Sequence, residues 1–274
     1  MYYLWRLIMH LNIDSNLCNG CGLCVSVCIR ENLKVDEIAV ELDSGLCFDC
    51  GHCMAVCTKG AITLKKYEDM QDEIEEYRQR DVPISYDDML QFYKQRRSMR
   101  WFKDKKIDRE TFDKLFESVY NSPTAENAQD VEFIVINDEK RLNDFMHLVY
   151  DIIKVREDEF FRIERLRDYL ENPEDFEFHP LLWGGSQLVL GFAKQPINAV
   201  IATTRLELMA YTMGLGGFYS LWMLMADEID HEKLMEFFPE VDKEKHMAST
   251  FIIGYPKKVY RRTIPRDKVK VTYI

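Results

Sequence analysis

All eight cysteines of this chain fall between residues 18 and 57, in two copies of one spacing. Cys18, Cys21, Cys24 and Cys28 stand in C-N-G-C-G-L-C-V-S-V-C, and Cys47, Cys50, Cys53 and Cys57 stand in C-F-D-C-G-H-C-M-A-V-C. Thiolates spaced C-x2-C-x2-C on a tight loop turn their sulfurs inward and can wrap one corner of an iron–sulfur cubane, and the run with its fourth cysteine is an iron–sulfur ligand spacing. Competing chemistries fit less well. Disulfide frameworks belong to short secreted chains, and zinc would use two C-x2-C pairs and leave the other thiols without a role. His52, between Cys50 and Cys53, is placed to adjust a cluster by hydrogen bonding, or is simply a loop histidine facing water.

A second set is basic. Residues 95–102 read Gln95-Arg96-Arg97-Ser98-Met99-Arg100-Trp101-Phe102. Guanidinium forks match phosphate oxygens, so Arg96, Arg97, Ser98 and Arg100 at a helix end form a phosphate-binding set. Taken alone, the same residues read equally as a basic surface cluster. Phe160, Phe161, Phe176 and Phe178 are candidates for a lid over a cofactor or for ordinary core. No Ser-His-Asp arrangement and no metalloprotease motif occurs.

These residues need elements to hold them. A chain of 274 residues suggests about two domains, and the stretch beyond the last cysteine is long enough for a core of its own. The expected organisation is a cluster domain over residues 1–66, a charged linker over 67–84 and a second domain over 85–274. In the first, Ile38–Val40 and Ala61–Leu64 are candidate strands; in the linker, the run of acidic and basic residues from Glu68 to Asp81 reads as solvated. Ser85 and Asp88 form a capping box that starts a helix. Another begins near Asp108, with Phe112, Leu115, Phe116 and Val119 on one face. A long helix is expected from about Glu139 to Leu170, and a further one from Ile197 to Met213, stopping at Gly214. Val131–Ile136, Gln187–Ala193 and Thr250–Gly254 read as strands. The irregular mixture argues for an α+β fold over a regular βαβ array.

The net charge of −11 disfavours nucleic acid and anionic membranes as partners. The apolar start, Tyr2 to Met9, is too short to span a bilayer and lacks signal-peptide features, so a cytoplasmic location is expected. Met9 is a candidate native start.

The cysteine runs resemble those of bacterial two-cluster ferredoxins, with Ile29 and Thr58 where proline usually follows the fourth cysteine. That resemblance implies two [4Fe–4S] clusters, one held by Cys18, Cys21, Cys24 and Cys57, the other by Cys47, Cys50, Cys53 and Cys28. Residues 85–270 resemble the FMN-dependent nitroreductase family. The motifs that carry this are R-R-S-x-R-x-F at Arg96 to Phe102, the segment Asn121-Ser122-Pro123-Thr124-Ala125-Glu126-Asn127-Ala128-Gln129, Gly214-Leu215-Gly216-Gly217-Phe218-Tyr219, and Ile253-Gly254-Tyr255-Pro256. Asp130-Val131 replaces the usual Pro-Trp, and Gly217 and Tyr219 replace the usual Thr and Trp.

The nitroreductase resemblance implies FMN bound at the interface of a homodimer. Arg96, Arg97, Ser98 and Arg100, helped by Arg262 or Arg266, would hold its phosphate and ribityl end. Pro123, Thr124, Ala125 and Asn127 would reach the ring from the partner subunit, and Gly216 and Gly217 would bring backbone N–H groups against it. The whole would be a ferredoxin–nitroreductase fusion. Its expected activity is reduction of nitro, quinone or similar electron-poor acceptors with NAD(P)H or reduced ferredoxin, FMN carrying the chemistry with no catalytic side chain. Alternatives are an electron-transfer relay, or a ferredoxin-dependent reductase of the same fold acting on an enone, a halogenated aromatic or a flavin.

Overall fold

The computed structural model describes residues 9–42, 46–77 and 84–274. The remainder of the apolar start and residues 78–83 of the expected linker, with Arg78, Arg80 and Asp81, lie outside the described residues. The chain divides into two compact units, one of residues 1–83 with Ala125–Ala128, the other of residues 84–124 with 129–274.

The first unit is built from short pieces around the cysteine loops. β1 (Leu11–Ile13) pairs antiparallel with β4 (Ile62–Leu64), and β2 (Leu33–Val35) with β3 (Ala39–Glu41). Two of these strands match the apolar runs expected in the sequence; β1 and β2 are additional. Each cysteine loop leads into a short helix, α1 (Leu23–Ser26) and α2 (His52–Val56). Both helices are preceded by a left-handed glycine, Gly22 at φ 77° and Gly51 at φ 74°. Glycine takes that conformation without the steric cost a Cβ would bring, so the loop can turn sharply into the helix that carries the third cysteine of each run. Leu11, Leu33, Ala39, Ile62 and Leu64 pack with Cys24 into a small core that other cysteines line. Glu41 is buried among them, and its carboxylate accepts from the N–H groups of His10 and Leu11 and from the Asn32 amide at 3.0–3.3 Å. Lys65–Glu73 is an irregular, mainly exposed 3-10 stretch.

The second unit is a four-stranded antiparallel sheet with helices on both faces. β5 (Glu132–Ile136), β6 (Gln187–Ala193), β7 (Gly216–Tyr219) and β8 (His246–Gly254) lie in the order β5-β6-β8-β7. β6 is buried along its whole length, and its alternation assigns its faces. Leu188, Leu190 and Phe192 join the larger core with α5 (Glu139–Ile153), α6 (Ile163–Glu171), α8 (Leu221–Ile229) and α9 (His231–Glu236), while Val189 joins the smaller core with α4 (Arg109–Glu117) and α7 (Pro196–Thr212). Side chains of a strand point alternately to opposite faces, which is why a continuous apolar run is needed here. α3 (Tyr86–Gln95) starts as the capping box requires, Ser85 Oγ accepting from the Asp88 N–H at 3.1 Å, and Asp108 Oδ1 caps α4 by accepting from the Thr111 N–H at 2.8 Å. α7 ends at Gly214, φ 74°, with the Leu215 N–H returning to the Ala210 carbonyl at 2.9 Å.

One expectation is corrected, and one strand is additional. The helix expected over Glu139 to Leu170 is two helices, α5 and α6, separated by a 3-10 stretch (Lys154–Glu159) and by Arg162 at φ 64°. Its apolar positions continue, but they serve a chain that turns between two helices sharing one core. The residues around Gly216 are a strand, because their backbone pairs with β8 from Gly216↔Gly254 to Tyr219↔Phe251. Asp130, in the place of the family's usual Pro-Trp, accepts from the N–H groups of Lys194 and Gln195 and from the Asn198 amide, supplying partners at the start of α7.

Candidate cluster and cofactor sites

The cysteines separate into two groups of four. One cavity is lined by Cys18, Cys21, Cys24 and Cys57, with Val35, Ala39 and Ile62 behind them. The other is lined by Cys28, Cys47, Cys50 and Cys53, with Leu11, Leu33 and Leu64 behind. Each cavity therefore takes three sulfurs from one run and the fourth from the other. None of the eight forms a disulfide.

The electrostatics of the two cavities suit a cationic centre. Burial, with the neighbouring sulfurs of Cys47, Cys50 and Cys28 adding to it, pushes the Cys53 thiol up to about 11. Burial raises Cys24 as well, its charged neighbours being Cys18 and Cys21, and burial also raises Cys47. Four thiolates held together this way are favourable only with metal charge among them. Backbone N–H groups already point at three of the sulfurs, from Asn32 to Cys28, Ala39 to Cys18 and Ala61 to Cys57, at 3.3–3.4 Å. Such bonds stabilise electron-rich sulfur and raise a cluster's potential. His52 lines the second cavity as an exposed residue.

In the second unit, Arg96, Arg97, Ser98 and Arg100 follow directly on α3. The segment is tied to the sheet by the Met99 N–H donating to the Gly217 carbonyl at 2.8 Å, and to the chain beyond β8 by the Lys257 N–H donating to the Trp101 carbonyl at 2.7 Å. Arg96 is already engaged, its Nη1 lying 3.0 Å from Oε1 of Glu207, a carboxylate only 9% exposed on α7. Arg97 and Arg100 have no carboxylate within 4.0 Å among the described residues; Arg97 lies over the Tyr260 ring, and Arg100 over Phe218 and Trp183. Ser98 is half-buried beside them. Two guanidinium groups without an acidic partner, in a protein of net charge −11, keep their donors for an anion from outside.

Gly216 and Gly217 are required by the protein's own packing. A Cβ at Gly217 would lie 2.1 Å from the Ile252 carbonyl oxygen, and one at Gly216 would lie 2.6 Å from the Met99 side chain. Pro123 and Ala125 are exposed, and Thr124 is half-buried with its hydroxyl accepting from the Gln129 N–H. Asn127, at φ 55°, donates from its amide to the carbonyls of Phe48 and Asp49 at 3.1 and 3.0 Å, so within the first unit it braces the loop between Cys47 and Cys50. Arg262 and Arg266 are exposed.

One residue of interest carried no sequence motif. Glu207 fixes Arg96; its signal was that it and Arg205 are the only charges in an otherwise uncharged α7. Tyr219 has its phenol pKa raised by burial and by the nearby Glu207 charge, so it stays a neutral donor. A second-unit cavity is lined by Arg100, Arg162, Arg165, Phe178, Trp183 and Trp222, among others. Of the four phenylalanines weighed as lid or core, Phe160 is buried core, Phe161 and Phe178 line this cavity, and Phe176 packs edge-on against Tyr169.

The sequence profile of the nitroreductase family matches residues 93–255, and that of the 4Fe-4S binding domain matches residues 11–31. No curated protein matches the chain in sequence. Among solved structures, the chain is similar to a nitroreductase with bound FMN from Bacteroides fragilis NCTC 9343, at 13% identity and a TM-score of 0.53, over 67% of this chain and 98% of that one. A nitroreductase with bound FMN from Desulfitobacterium hafniense DCB-2 aligns at 16% identity and 0.53, over 68% and 97%. An oxidised iodotyrosine deiodinase bound to FMN and 3-iodo-L-tyrosine aligns at 22% identity and 0.51, over 68% and 98%. At these identities the likeness is one of fold.

Proposed function

The chain belongs to the nitroreductase family, and from that premise we propose that it is an FMN-dependent oxidoreductase with two [4Fe–4S] clusters built into its first unit, reducing nitro, quinone or similar electron-poor small molecules. The observation that carries the reading is the sorting of eight cysteines into two four-sulfur cavities in a chain whose other unit has the nitroreductase fold. Clusters carry single electrons and FMN, when bound, supplies exchange between one- and two-electron chemistry. The two together suit a low-potential one-electron donor such as reduced ferredoxin, with NAD(P)H as the other candidate.

The protein's own groups position and charge the site. Cys18, Cys21, Cys24 and Cys57 would hold one cluster, and Cys47, Cys50, Cys53 and Cys28 the other. Arg97, Ser98 and Arg100 would take the cofactor's phosphate and ribityl end, with Arg96 held in place by Glu207 and with Arg262 or Arg266 closing over it. Positive charge at this point favours an anionic reduced cofactor. In a homodimer, Pro123 and Thr124 would be offered to the neighbouring site, whereas the Asn127 amide expected there with Ala125 is taken by the Phe48 and Asp49 carbonyls; Gly216 and Gly217 would present backbone along the ring. No helix among the described residues is long and apolar enough to cross a membrane.

The test is an anaerobic titration of reconstituted protein, first with NADH and NADPH, then with reduced ferredoxin, followed by its visible spectrum. The reading expects about eight irons and one FMN per chain, with ferredoxin bleaching both absorptions. The double variant Ser98→Ala with Arg100→Ala should keep its iron and lose most of its FMN. Full flavin retention there sinks the site assignment, and a wild-type spectrum without flavin sinks the function.

A further inference from the structure

The cavity beside Arg100 has a composition that the functional reading leaves unused. Its walls are aromatic: Phe178 and Trp183 are stacked at 5.6 Å with 23° between their planes, and Trp222 also lines it. Its charged lining consists of three arginines, Arg100, Arg162 and Arg165, and no carboxylate lines it. None of the three makes an ion pair among the described residues. This is notable in sequence context, because Glu157, Asp158, Glu159, Glu164 and Asp168 surround Arg162 and Arg165 in the chain. Neighbouring basic residues do find acids, Arg156 reaching Glu159 and Glu228, and Arg167 reaching Asp168.

The backbone also bends to present one of them. Arg162 adopts φ 64° at the N-terminal end of α6, a left-handed conformation costly for a side chain of this kind, and such strain collects at sites where ligands are clamped. Arg165, on the first turn of α6, lines the same cavity as Arg162. The stacked Phe178–Trp183 pair offers a flat aromatic face on which a planar aromatic ligand can pack. Arg162 and Arg165 lie over the Phe161 and Phe176 rings and meet no carboxylate among the described residues, and guanidinium forks without an acidic partner favour a carboxylate from outside. In an acidic protein a positive cleft of this kind draws anions selectively.

We propose that this cavity selects the acceptor, and that the acceptor is an aromatic carboxylate whose ring lies among Phe178, Trp183 and Trp222 and whose carboxylate is held by Arg162 and Arg165. The inference rests on the functional reading above, in which Arg100 belongs to the cofactor's end of the site. Arg162 and Arg165 then determine specificity and do no chemistry.

The experiment uses the full chain loaded with clusters and flavin, and two probes of the same ring and size, anionic benzoate and neutral benzamide. Affinities are measured by calorimetry, so the readout does not depend on flavin colour; flavin content is read from the spectrum. Benzoate is expected to bind at least tenfold more tightly than benzamide. The double variant Arg162→Asn with Arg165→Gln, asparagine being chosen because it tolerates the left-handed backbone, should lose that tenfold preference while keeping its flavin. A flavin-loaded wild type that binds both probes alike overturns the inference alone, as does a preference that survives the double variant. Loss of flavin from the double variant would assign the two arginines to the cofactor and overturn it too. A wild type without flavin overturns the inference together with the functional reading.

Discussion

The two units reach a folded state by different means. Among the described residues, the first unit buries six apolar or sulfur side chains in its core, one of them Cys24, and has no strand longer than three residues. The second buries a sheet between two helical layers, with Phe145, Phe192, Phe238 and Phe251 fully enclosed. A core that small does not offset the chain entropy of ordering its loops, so the stability of the first unit must come from what its thiolates bind. The second unit has apolar area enough to fold around an empty cofactor site. One region depends for its fold on the metal its thiolates hold, and the other has a core that folds without its cofactor.

The sharpest way to break this contrast is to remove the iron. Cys53→Ser, or chelation of the iron under oxidising conditions, should abolish the first unit's protection from proteolysis over residues 9–77 while the second unit keeps a cooperative thermal transition. A protease-resistant first unit without iron would show that its apolar core suffices. The converse perturbation is Phe238→Ala, at a side chain whose ring centroid lies 5.3 Å from those of Phe145 and Phe192. It should cost the second unit about 3–5 kcal/mol, read as a lower denaturant midpoint, with the cluster absorption at room temperature unaltered.

The smallest effect concerns acid. His179 is buried between α6 and β6 in the chain, its Nδ1 accepts from the Leu181 N–H at 3.1 Å, and its Nε2 meets no partner among the described residues. Burial, helped slightly by His147, lowers its pKa from 6.5 to about 3. Between those values the unfolded chain takes up a proton that the folded chain refuses, so the second unit loses stability as pH falls below 6.5. The loss from this residue is about 1.4 kcal/mol at pH 5.5. His179→Gln should flatten that part of the stability-against-pH curve, measured by denaturant midpoints at pH 7 and 5.5; an unchanged slope would place the acid sensitivity elsewhere.

Legibility in the sequence followed the range of the interactions. The cysteine loops and the caps at Ser85 and Asp108 are encoded within a few residues, and all were read correctly as local structure. β7 was missed because Gly216-Gly217 carries turn chemistry in isolation; only the carbonyl of Ile252 and the ring of Phe251 lying against them make glycine the residue of a buried strand. The break between α5 and α6 has no proline or glycine to announce it. Glu207 beneath Arg96, the unpaired Arg162 and Arg165, and the Asn127 amide on the carbonyls of Phe48 and Asp49 are meetings of residues far apart in sequence or choices among equivalent surface arginines. Local pattern cannot specify them.

The first unit is also not one uninterrupted piece of chain, since Ala125–Ala128 belongs to it. Two genes joined end to end would yield two self-sufficient halves that a single cut could separate again. Here the later stretch of sequence has lent four residues to the earlier one, and Asn127 among them supplies hydrogen-bond donors to the backbone between Cys47 and Cys50. A ferredoxin domain excised at residue 84 would leave behind part of its own scaffold. The fusion has thus become a dependence, and neither half can be traded for a homologous module without reworking a loop that sequence order assigns to the other.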